Sequence, residues 1–88
     1  MTRLLMMVEA TRRELRRKAP RQFRIAFVEA LRDELNASST NVNYDTMQWY
    51  RAECDNWLCD QDDNGGRTTK DNLINELGHL AKRLEVNG

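Results

Sequence analysis

Three interruptions divide this chain, and between them its apolar residues return every three or four positions. Pro20, the only proline, cannot continue a helix but suits a first turn, so it closes one helix and opens the next. Residues 37–43, Ala-Ser-Ser-Thr-Asn-Val-Asn, are polar and poor helix formers. Residues 62–66, Asp-Asp-Asn-Gly-Gly, make the third break. The segments between them predict helices over about 3–18, 21–36, 45–60 and 69–85. No strand-like alternation of useful length and no internal repeat is present.

Each segment has one apolar face. In the first, Leu4, Val8, Thr11 and Leu15 form a stripe with Met1 and Met7 at its edges, and Thr2 stands where an N-cap belongs. The second turns Phe23, Phe27, Val28, Leu31 and Leu35 inward and leaves Ile25 opposite. The third opens on a capping box, Asp45 with Gln48, and buries Met47, Tyr50, Cys54, Trp57 and Leu58. The fourth opens on a second box, Thr68 with Asp71, and carries Leu73, Leu77, Leu80 and Leu84 flanked by Ile74 and Ala81. Four amphipathic helices with short connections predict an all-α fold, a compact bundle forming one domain over residues 1–88. The leucine row also fits a coiled-coil seam. Two heptads are short for one, so the core is the better place for it, and a homodimer through helix four is left open.

The net charge is zero but unevenly spread. Residues 1–24 hold eight Lys/Arg against two Glu, a surplus of six positive charges, and the remainder carries the matching deficit, six basic against twelve acidic. Arg12, Arg13, Arg16, Arg17, Arg21 and Arg24 concentrate the positive charge, which would attract an acidic protein surface or a phosphate backbone. No helix-turn-helix, zinc-finger spacing or RNA-stacking aromatic motif accompanies them, so an acidic protein partner is the first expectation and nucleic acid the alternative. A solvated face, partly neutralised by acids of the same chain, is the plain structural explanation. Trp49 lies about 130° from the centre of helix three's apolar face and is the candidate anchor for a partner, unless the bundle flanks that helix on two sides.

Residues 60–71, Asp-Gln-Asp-Asp-Asn-Gly-Gly-Arg-Thr-Thr-Lys-Asp, resemble an EF-hand calcium loop over those twelve positions, with oxygen ligands at one, three and five, glycine at six and a carboxylate at twelve. The resemblance implies calcium binding as a second alternative. Against it, Asp71 replaces the long-armed Glu, and Arg67 takes a usually aliphatic place. The flanking apolar residues are out of register, with Ala52, Asp55, Asn56 and Cys59 before the loop and Asn72, Asn75 and Glu76 after it.

Nothing in the sequence predicts catalysis, a cofactor or a metal centre. His79 is the single histidine and falls on the polar side of helix four. Cys54 and Cys59 lie about 140° apart around a helix and cannot bridge. Free thiols suit a reducing compartment. The first eight residues lack the charge order of a signal peptide, and no apolar stretch approaches a membrane span, so a cytoplasmic protein is expected. In general type the chain resembles the small helical interaction proteins of phages and other mobile elements, which implies a non-catalytic inhibitor or adaptor of a larger complex.

Overall fold

The computed structural model describes residues 3–17, 19–37, 42–59 and 66–87, with side chains from Lys70 to Val86 in the last of these. Four helices follow in chain order: α1 Arg3–Arg16, α2 Arg21–Ala37, α3 Tyr44–Cys59 and α4 Gly66–Asn87. α1 packs on α2 and α4, and α3 packs on α2 and α4. The helices thus form a ring in which α1 and α3 are diagonal, as short connections between antiparallel neighbours dictate.

The ends of the helices have local causes. The Pro20 carbonyl accepts from the amides of Phe23, at 3.1 Å, and Arg24, at 3.4 Å. Proline therefore stands at the N-cap of α2, where a missing N–H costs nothing. α3 is capped by Asn43 rather than by Asp45. The Asn43 side-chain oxygen accepts from the amides of Asp45, at 2.7 Å, and Thr46, at 3.4 Å, and Asn43 O accepts from Met47 N at 3.1 Å. Asparagine caps as well as aspartate, so the start moves two residues upstream. α4 begins at Gly66, ahead of the expected Thr68–Asp71 box. The Thr2 cap, Met1 and the Thr68 side chain lie outside the described residues.

The core draws on all four helices. Leu4, Leu5, Val8 and Leu15 of α1 meet Val28, Leu31 and Leu35 of α2, Met47, Tyr50, Cys54 and Trp57 of α3, and Leu73, Leu77, Leu80, Ala81 and Leu84 of α4. Each fully buried leucine contributes about 1.5–3 kcal/mol. The leucine row of α4 is buried within its own chain. A homodimer through α4 would therefore have to use its outer face. Thr11 is 1% exposed, and its hydroxyl donates to Met7 O at 2.7 Å, which satisfies the one polar group in that layer within its own helix.

α2 departs from expectation. Phe23 and Phe27 are exposed, at 56% and 37%, while Ile25 packs against the core. The centre of the inward face is set by Val28, Leu31 and Leu35. Measured from the middle of those three, Phe27 and Phe23 lie about 70° and 110° to one side and Ile25 about 90° to the other, so angle alone does not separate them. Averaging two phenylalanines into the face displaces its apparent centre. Arg24, about 40° from Val28, instead occupies the core-facing line near the start of the helix.

Candidate interaction surface

α1 carries half of the basic cluster, Arg17 follows it and α2 carries the rest, and the fold divides that cluster in two. Arg12 turns towards α4, where its Nε donates to Ile74 O at 3.2 Å and its guanidinium lies over Gly78. Arg24 is half-buried, and its Nε is buried without a hydrogen-bond partner. These two arginines belong to the packing. Arg13, Arg16, Arg17 and Arg21 are exposed around the corner where α1 gives way to α2. Arg17 pairs with Glu14 at 3.0 Å. No ion pair to Arg13 or Arg16 is present among the described residues.

The acids of α2 are mostly engaged elsewhere. Glu34 pairs with Arg3 of α1 at 3.5 Å, and Arg32 links Asp33, at 3.6 Å, with Asp55 of α3, at 3.3 Å. The α1–α2 corner therefore keeps a local positive surplus although the molecule is neutral.

Trp49 is 48% exposed and packs edge-on against Tyr50, with ring centroids 5.0 Å apart. It stands on α3, diagonal to the arginines of α1, and Gln48 beside it meets Asn36 at 3.5 Å, the end of α2 away from Arg21, so it is not brought together with the exposed arginines. The aromatic side chains that do adjoin them are Phe23 and Phe27. With Glu14, Arg17, Ala19 and Pro20 they line an open cleft of about 590 Å³. Sequence reasoning missed them by assigning both to the core, and angle alone would not have found Phe27, which lies no further from the middle of the inward face than the core-packed Ile25.

A smaller groove of about 320 Å³ runs between α1 and α4 and includes Glu9, Arg12, His79, Lys82 and Glu85. It is a polar trough without a cysteine or serine on its walls. Cys54 is fully buried, and burial pushes its thiol up to about 12, whereas Cys59 is exposed and both are free. Among the described residues no three His, Cys, Asp or Glu side chains are arranged to hold a metal ion. Residues 60–65, the first half of the calcium-like loop, lie outside the described residues. From its seventh position, Gly66, the stretch is helix. No described helix is long and apolar enough to cross a membrane. In comparisons with protein-family models, curated proteins and solved structures, the chain matches none.

Proposed function

We propose that this chain is a non-catalytic binding protein, an inhibitor or adaptor, that docks on an acidic protein surface through Arg13, Arg16, Arg17 and Arg21. The observation that carries this is the exposure of those four arginines at one corner, where Arg17 is paired with Glu14. Such a surplus on a neutral molecule steers an acidic partner into one orientation and raises its association rate. Free thiols at Cys54 and Cys59 fit a protein that works in the cytoplasm.

The test is the double reversal Arg13→Glu with Arg17→Glu. Both positions are exposed, so helicity should be unchanged, while capture of the partner should fall by roughly tenfold or more as steering reverses sign. The same exchange at Arg12, which is tied to α4, should alter stability rather than affinity. Unchanged capture by the double mutant removes the corner from the account. Loss of capture in excess duplex DNA would turn the assignment to nucleic acid.

A further inference from the structure

The charge asymmetry of the chain runs across the bundle as well as along the sequence. α1, with the Arg17 that follows it, holds five arginines against Glu9 and Glu14, a surplus of three. α3 holds Asp45, Glu53 and Asp55 against Arg51, a deficit of two, while α2 between them holds three of each sign. α1 and α3 are diagonal in the ring, so the basic helix and the acidic helix turn their outer faces to opposite sides of the molecule.

Several of these charges are engaged within the chain. Arg3 pairs with Glu34, Arg17 with Glu14 and Asp55 with Arg32, and Arg12 is tied to Ile74 O. Among the described residues no ion pair is present to Arg13 or Arg16 of α1, nor to Asp45 or Glu53 of α3. Those two acids share a stripe with the exposed tryptophan. Asp45, Trp49 and Glu53 recur at steps of four, which sets one carboxylate a turn to either side of the indole. Trp49 is braced by its edge-on contact with Tyr50 and keeps 48% of its surface exposed.

A tryptophan between two carboxylates is suited to a guanidinium, which gains cation–π attraction from the ring and charge-assisted hydrogen bonds from the acids. We propose that the Asp45–Trp49–Glu53 stripe receives Arg13 of a second copy, so that α1 of one chain docks on α3 of the next. Arg13 is exposed and lies about 150° from the middle of the buried face of α1, and Arg16 follows it within a turn. Two unpaired cations thus meet two unpaired carboxylates. The zero net charge of the chain removes the overall repulsion that would otherwise hold copies apart.

The two surfaces differ and face opposite ways, so the contact is head-to-tail and every docked chain still offers one open face. Association therefore continues past two chains. Resting on a few exposed charges, it is weak and sensitive to salt. The contact shares Arg13 with the acidic-partner reading but uses an acidic surface that the chain itself supplies, and it does not need that reading to hold.

Sedimentation equilibrium of the purified full chain, from low to high micromolar concentration, provides the test. At low salt the weight-average mass should climb from one chain past two, and high salt should return it to one. Arg13→Glu and Asp45→Arg should each hold the chain monomeric with the fold retained, because both sites are exposed. Trp49→Ala, which leaves the first turn of α3 intact, should weaken association roughly tenfold. An equimolar mixture of the two charge-reversed chains should associate again, since native surfaces meet at one contact and reversed charges pair at the other. The Asp45→Arg chain keeps its exposed arginines, so capture of an acidic partner should persist when self-association is lost, which separates the two readings. A native chain that stays monomeric at low salt overturns the proposal, as does undiminished association of any of the three variants. Failure of the mixture to associate likewise refutes docking of α1 on α3.

Discussion

Gly78 lies in the middle of α4 with the Arg12 side chain across it. A Cβ placed there would stand 2.9 Å from Nη2 of Arg12, 3.1 Å from Cζ and 3.4 Å from Nε. The obstructing atoms are the end of a flexible side chain, so the guanidinium would move and its bond to Ile74 O, now 3.2 Å, would be lost. That loss costs about 1 kcal/mol. Against it, Gly→Ala in a helix interior gains about 1 kcal/mol. Gly78→Ala should therefore leave stability nearly unchanged in the native chain. In an Arg12→Ala background nothing obstructs the methyl group, and the same exchange should stabilise by about 1 kcal/mol. Urea unfolding followed by far-ultraviolet circular dichroism resolves this, because a domain of this size should lose about 1 kcal/mol per molar urea, and the midpoint would shift by about 1 M. Equal effects of Gly78→Ala in both backgrounds would refute the assignment of Arg12 to the α1–α4 contact.

Two further perturbations probe the interior. Arg24→Met keeps the apolar stem while removing a buried donor that has no partner, and should raise stability by about 1 kcal/mol in the same unfolding assay; a loss would mean that the guanidinium is needed where it stands. The native chain should show one fast-reacting thiol, Cys59, with Cys54 following only on unfolding, as a colorimetric thiol titration in and out of urea would reveal. The Cys54 thiol is raised from 9.0 to about 12 by burial, so above pH 9 the unfolded chain binds fewer protons than the folded one. Its contribution to stability is complete below that point and is lost as pH rises, by up to about 1.4 kcal/mol per unit. The Tyr50 hydroxyl, also raised by burial, acts in the same direction. Stability that increased between pH 9 and 12 would contradict the burial of Cys54.

Much of this fold is legible from periodicity. The inward faces of α1, α3 and α4 follow the three-and-four spacing at most positions, although Leu5 is buried outside the expected stripe of α1 and Leu58 of α3 is only partly buried. α2 departs further. Its two phenylalanines are its largest apolar groups and sit to one side, where size outweighs angle in any reading of the sequence. Helix starts were displaced for a similar reason, since Asn43 and Asp45 are equally good caps and only the backbone shows which one is used. The basic cluster was plain as charge but not as surface. Arg12 is drawn inward by an acceptor sixty-two positions away in sequence and a gap one turn beyond it, and no local pattern carries that information. Trp49 and the arginines look like one site on paper, yet the ring order of the helices places Trp49 diagonal to the arginines of α1, and Arg21 and Arg24 start α2 at the end away from the Gln48–Asn36 contact.

The role assigned to the arginine corner meets its most direct test in an affinity capture from host lysate, with native chain and the Arg13→Glu, Arg17→Glu chain side by side, before and after nuclease treatment. The predicted result is one stoichiometric protein partner, retained by the native chain after nuclease and lost by the charge-reversed chain. A partner held equally by both chains, or recovery that collapses with nuclease, would contradict recognition of an acidic protein by that corner.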